Sequence, residues 1–201
     1  MLFRSLITLQ LGNGCSATAS LNGRPLDTSM GFTPLEGLIM GTRSGDLDPA
    51  LPMLIAEREG LSAQEVDALL NTRSGLLGIS GRAGDMRDLL AAANNGDAAS
   101  DLAVRAFCYR VTKYAGAYLA VLGGADAIVF GGGIGENSAE VRRGVVGGLE
   151  WAGLHIDQAL NAAGEDDRRI SVPGTPMEAW VVHVDEAMVI ARDVIACLRA
   201  S

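Results

Sequence analysis

Four glycines within five positions, set between an apolar run and a helix start, constrain this chain more than any other stretch. Residues 127–130 form a short apolar run of the kind that makes a buried strand. Gly131, Gly132, Gly133 and Gly135 follow. Ser138 then stands where its hydroxyl can cap a helix that continues through Val141 and Val145. A strand that opens into a glycine turn lets backbone approach a ligand without interference from Cβ atoms. The N–H groups of a helix start favour an anionic or polar partner. A tight connection is the plainer alternative, and spacing does not separate the two. The usual fingerprints are excluded: GxGxxG fails at Glu136 in one register and at Ser138 in the other, and no Walker lysine follows.

The rest of the chain supplies the layers that such a stretch needs. Residues 5–10 suit a core strand, Leu11-Gly12-Asn13-Gly14 a turn, and residues 15–21 a returning strand of alternating small and polar residues. Asn22-Gly23 marks a second hairpin, with a third strand over 24–27. A helix starting at Asp48 or Pro49 runs to about Glu59, with Leu51, Leu54 and Ile55 inward. Ser62 and Glu65 form a capping box ahead of Val66, Leu69 and Leu70. Residues 75–84 are a glycine-rich loop. A long helix over about 97–122 repeats Val104, Phe107, Val111, Tyr114, Tyr118 and Leu122 at steps of three or four. Cys108 and several alanines widen that face, so burial on more than one side is expected. A helix then runs from Ser138 to about Trp151, a short helix covers 156–163, strands cover 169–172 and 180–184, and Asp185 caps a last helix. This order predicts one α/β domain with a mixed sheet and helices on its faces.

Composition narrows the function classes. Glycine is 26 of 201 residues, roughly twice the usual ~7%, which points to tight turns and close backbone approaches. A net charge of −8 argues against a general nucleic-acid surface. No apolar run approaches the ~18 residues of a membrane span, and residues 1–10 lack the length and cleavage region of a signal peptide. Cys15, Cys108 and Cys197 lie far apart without CxxC spacing and suit buried thiols in a reducing compartment, the cytoplasm. His155 and His183 are the only histidines, which excludes a multi-histidine metal site and suggests a satisfied structural histidine at each.

Three further residues carry candidate chemistry. Residues 28–46 hold four glycines and no sustained period, yet Met30, Phe32, Leu35, Leu38, Ile39 and Met40 are expected to clamp them as an ordered loop. That loop either presents Arg43 to an anion or pairs it with Asp46. Asp85 is placed to cap the helix through Leu89 and Leu90. Glu186, in the first turn of the last helix, either complements the helix dipole or aims a carboxylate at a metal–phosphate group.

Six stretches in order resemble the acetate kinase family: Leu11-Gly12-Asn13-Gly14 with Ser16; the run from Asp27 to Gly37, DTSMGFTPLEG; the run from Met40 to Asp46, MGTRSGD; the run from Ser74 to Gly81, SGLLGISG; Asp85-Met86-Arg87; and the run from Gly133 to Ser138, GIGENS. The resemblance covers most of the chain and is to the family's C-terminal half. It implies a ribonuclease-H-like mixed sheet, an antiparallel meander plus parallel strands with helices on both faces, of the superfamily of sugar kinases, heat-shock ATPases and actin. Residues 1–201 would be one nucleotide-binding domain, with the N-terminal domain absent. The implied reaction is ATP + acetate = ADP + acetyl phosphate, with this a truncated or split chain carrying the nucleotide-binding half; the alternatives are a non-catalytic nucleotide-binding or dimerisation fragment, or half of a propionate or butyrate kinase.

The resemblance also implies roles. Gln10, Leu11, Gly12, Asn13 and Gly14 form a phosphate-contacting hairpin. Asp85, Met86 and Arg87, with Gly133, Ile134, Gly135, Glu136 and Asn137, are nucleotide-binding segments, the latter around the adenosine. Arg43 matches the arginine that stabilises the transferring phosphoryl group, a role suited to a guanidinium fork. Glu186 matches the glutamate near Mg²⁺ (or Mn²⁺), a metal that keeps much of its hydration and is held in part by nucleotide phosphates. A homodimer is expected, and a separately encoded N-terminal half is a further candidate partner. Gln10 stands where the family usually has His, and Gly131-Gly132 where it commonly has Thr-Ala or Thr-Gly. The acid-binding arginine, catalytic aspartate and transition-state histidines of the family's other half have no match here.

Overall fold

The structure is a computed structural model that describes residues 3–164 and 166–200, apart from the side chains of Glu186, Arg199 and Ala200. Its first three strands are β1 (Ser5–Leu11), β2 (Cys15–Leu21) and β3 (Arg24–Thr28), paired antiparallel. Asn22 and Gly23 both adopt positive φ, 53° and 76°, the backbone a two-residue hairpin turn demands. Five helices follow: α1 (Leu51–Glu59), α2 (Ala63–Thr72), α3 (Gly75–Ser80), α4 (Met86–Asn94) and α5 (Ala98–Leu122). Then come β4 (Ala127–Gly131), α6 (Gly132–Asn137), α7 (Ala139–Gly147), α8 (Gln158–Ala162), β5 (Arg168–Arg169), β6 (Glu178–Val181) and α9 (Glu186–Ala200). The sheet order is β3-β2-β1-β4-β6-β5, with β1, β4 and β6 mutually parallel and the outer pairs antiparallel. This is the expected mixed α/β sheet.

The core follows from strand alternation. Ile7, Leu9 and Leu11 on β1 and Cys15, Ala17 and Ala19 on β2 are all buried on one face. The small residues of β2 leave room for α5, which lies against both strands. Phe107, Val111, Ala115 and Tyr118 fill that interface, while α3, α4 and α7 pack on other sides of α5. The expected burial of this helix on several sides holds. Ser62 and Glu65 make the capping box, and Asp97 and Ser138 each accept a backbone N–H at a helix start.

Several expectations fail in detail. Leu51 and Leu54 are exposed, because α1 packs on α2 at the margin of the molecule and buries no residue of its own. In the 28–46 loop, Leu38, Ile39 and Met40 are buried, but Phe32 is fully exposed. The 75–84 loop begins with a helix, α3, whose glycines hide it from propensity arguments. The glycine run after β4 is likewise a helix, α6. The helix beyond Ser138 ends at Gly147, and a separate 3₁₀ turn holds Trp151. β5 and β6 are shorter than expected, and Ser171 instead bridges to Ile156.

Candidate functional site

Three segments converge at the end of β1 and β4. The first is the β1–β2 turn. Gly12 N–H donates to Gly14 O at 3.1 Å, and the Cys15 thiol donates to Gly12 O at 3.1 Å. Burial of that thiol pushes its pKa up to about 12.

The second segment is the start of α4, held to the first through the 28–46 loop. Gly41 N–H donates to Asn13 O at 2.9 Å. A Cβ on Gly41 would overlap the Asn13 carboxamide oxygen and lie 3.1 Å from Gly84 O; one on Gly84 would lie 2.7 Å from Gly41 O. Glycine at both positions is what allows turn, loop and helix start to touch. Asp85 caps α4, accepting Arg87 N–H at 2.8 Å, and also pairs with the Arg87 guanidinium at 3.1 and 2.6 Å. These bonds to Arg87 hold the Asp85 carboxyl at about 2, below the usual carboxylate range.

The third segment is α6. Gly132, at φ 75°, sits so close to β1 that a Cβ would meet Leu11 O at 2.7 Å. The Asn137 carboxamide donates to Gly133 O at 2.9 Å. Behind the helix, Arg142 of α7 is buried. Its Nη1 donates to Gly135 O and Glu136 O, both at 2.8 Å, and its Nε and Nη2 to Oδ1 and O of Asn161 at 2.7 and 2.6 Å. Glu136 turns its carboxylate away from the open side. Oε1 accepts Gly132 N–H at 2.9 Å and Val184 N–H at 3.1 Å, and Oε2 lies 2.7 Å from His183 Nδ1.

Between the segments is an open cleft of about 780 Å³, lined by Gly12 and Asn13, by Gly84–Arg87 with Leu90, and by Gly133, Ile134, Asn137 and Ser138. That volume is typical of a small-molecule site. The cleft gathers Gly12, Asn13, Asp85, Met86, Arg87, Gly133, Ile134 and Asn137 from the sequence-based set. Gln10, Leu11, Gly14, Gly135 and Glu136 do not line it. Leu11 and Gly135 are buried toward the core, and Gln10 lies against Gly131.

Arg43 is half-buried beside the hairpin: its Nη1 would be 3.5 Å from a Cβ on Gly14, and it donates to Pro34 O at 3.5 Å. Asp46 is not its partner. That carboxylate instead takes Gly37 N–H and the Tyr114 hydroxyl, both at 2.8 Å, and the Arg110 guanidinium at 3.0 Å. The side chain of Glu186 lies outside the described residues. Among those residues no cluster of three His, Cys, Asp or Glu could hold a metal ion, and no helix is long and apolar enough to cross a membrane.

A family model described as the acetokinase family matches residues 4–192. The chain belongs to the acetokinase family. It is 58% identical over 196 residues to the acetate kinase of Solibacter usitatus, covering 96% of this chain and 47% of that protein. The crystal structure of Porphyromonas gingivalis acetate kinase superposes with a TM-score of 0.92 at 42% identity, covering 97% of this chain and 49% of that one. A propionate kinase from Francisella tularensis gives 0.85 at 41% identity, with 90% and 46% covered. The chain spans about half the length of the relatives it matches. What the motif comparison did not flag is the support behind α6: Arg142, Asn161 and His183. Arg142 carries one legible signal, a charged residue three and four positions before Val145 and Val146, on their buried face.

Proposed function

We propose that this chain is the nucleotide-binding half of an acetokinase-type phosphotransferase, equivalent to the C-terminal domain of acetate kinase. The reaction of the whole enzyme is phosphoryl transfer between ATP and a short-chain carboxylate. The observation that carries the proposal is the convergence of residues 12–13, 84–87, 133–134 and 137–138 on one cleft, with Arg43 next to the hairpin. The hairpin backbone offers N–H groups to phosphates without side-chain bulk. The Gly133–Asn137 backbone and the methylenes of Ile134 and Leu90 suit an adenosine. Arg43, with no carboxylate partner among the described residues, keeps its guanidinium for a phosphoryl group that develops charge in transfer. Gln10 offers a neutral carboxamide where the family has an imidazole. A Mg²⁺ would arrive on the nucleotide phosphates, with Glu186 at the start of α9 as its protein carboxylate. The metal, when bound, supplies charge neutralisation.

The acid is proposed only as a short-chain carboxylate, because identity to the acetate kinase and the propionate kinase is nearly equal, 42% and 41%. Self-association is part of the proposal. The inward face of α5 is covered within the fold. Met188, Ile190, Val194 and Leu198 of α9 are exposed and would form the shared face.

Calorimetry with Mg-ADP on the purified chain tests the site. Weak but saturable binding is expected, with a rise in melting temperature. Absence of both heat and thermal shift at millimolar Mg-ADP refutes the reading.

A further inference from the structure

The motif that contains Glu136 places this carboxylate with the nucleotide, yet its geometry serves something else. The side chain is 12% exposed and does not line the cleft. Its two oxygens are filled by Gly132 N–H at the start of α6, by Val184 N–H beyond β6, and by the His183 ring. His183 is itself anchored, its N–H donating to Asp167 Oδ1 at 2.7 Å. The same junction is tight in packing: a Cβ on Gly131 would lie 2.8 Å from Val184 Cγ2.

We propose that Glu136 is a positioning residue, a latch whose carboxylate fixes the first turn of α6 against the segment joining β6 to α9. Gly133, Ile134 and Asn137 are thereby presented to the cleft in a set orientation. The inference rests on the nucleotide reading of the cleft. A carboxylate with three donors satisfied has little capacity left for a ligand. A loop held by backbone N–H groups on one carboxylate is pre-ordered, which lowers the entropy lost when a ligand binds.

The test uses Glu136→Ala and Glu136→Gln in the full chain, with ADP as probe. Glutamine keeps the shape: its carboxamide oxygen can accept from Gly132 and Val184 while its NH₂ faces His183. The latch predicts that Glu136→Ala weakens ADP binding about tenfold, the loss expected for one or two hydrogen bonds that order a binding segment. Glu136→Gln should return to within about threefold of the parent on the same grounds. Amide exchange at Val184 should quicken in the alanine variant and not in the glutamine variant. If glutamine binds ADP as weakly as alanine while Val184 stays protected, the charge itself contacts the ligand and the latch is overturned. If alanine lowers the melting temperature but leaves the ADP affinity of the folded protein unchanged, the contact is structural only and the proposal is also overturned. If the parent binds no ADP, the nucleotide reading falls separately; Val184 exchange then decides the latch, supporting it if quickened by alanine and overturning it if not. Where Glu136→Ala does not fold, Glu136→Asp replaces it, since its carboxylate is one methylene too short to reach both N–H groups.

Discussion

Replacing Arg142 by Met should cost stability although it removes a buried charge. The side chain is 1% exposed and donates four hydrogen bonds, to Gly135 O, Glu136 O, and both oxygens of Asn161. Burial pulls its pKa down to about 10, so it is still protonated at neutral pH, and among the described residues no carboxylate offsets the charge. Hydrogen bonds from a charged donor contribute about 1.5–3 kcal/mol each, so the four amount to roughly 6–12 kcal/mol. Against this, desolvating the guanidinium costs several kcal/mol. Methionine fills similar volume, removes the desolvation cost, and leaves three buried carbonyls and a carboxamide oxygen without their donor. The net expectation is a loss of about 3 kcal/mol, with Arg142→Lys intermediate because an ammonium cannot fork to α6 and Asn161 together. Urea unfolding followed by tryptophan fluorescence measures it. A methionine variant as stable as the parent would show that the charge costs as much as its bonds return, and that the carbonyls at the end of α6 do not depend on Arg142.

Gly132→Ala should destabilise by about 2–4 kcal/mol, since alanine at φ 75° is strained and its Cβ would press on the Leu11 backbone; chemical unfolding with a loss under about 1 kcal/mol would contradict the packing argument. The Asp85 carboxyl is depressed in the fold to about 2, so its contribution is present above the unfolded value near 4 and is lost as pH falls through about 2; an Asp85→Asn variant should lack this part of the acid sensitivity. The chain alone should show no acetate-dependent ATP consumption above background in a coupled assay, and robust turnover abolished by Arg43→Ala would reverse that expectation. Size exclusion with light scattering should show a dimer, which a clean monomer at tens of micromolar protein would reject.

What was legible in the sequence was what local chemistry decides. Asn22-Gly23 fixes a hairpin because few other pairs tolerate two positive φ values. Ser62, Asp85, Asp97 and Ser138 mark helix starts because each caps within three residues of itself. α3 and α6 escaped because glycine content lowers helix propensity, and tertiary contact to the 28–46 loop and to β1 overrides it. The motif residues divided for a geometric reason. A motif names contiguous residues, but a strand turns alternate side chains to opposite faces and a helix turns each by about 100°. Leu11, Gly135 and Glu136 therefore belong to recognisable motifs and yet face inward.

The placement of Arg43 shows how a segment without regular structure can hold one side chain in a set position. The 28–46 loop is tied at its start, where Ser29 exchanges hydrogen bonds with Ala17 at 2.9 Å, and at its end, where Asp46 takes Gly37, Tyr114 and Arg110. Between these ties, Gly41 N–H meets Asn13 O, Ser44 N–H meets Leu70 O, and Ser74 N–H meets Thr42 O. The backbone around Arg43 is thus fixed on both sides by partners in different elements, so its entropy is spent in folding and not in binding. Because Asn13 touches Gly41 and Gly14 lies next to Arg43, one hairpin sets both the floor of the cleft and the neighbouring arginine. A phosphate placed at the hairpin backbone would therefore stand beside a guanidinium whose backbone is already fixed, so less ordering would be left to binding.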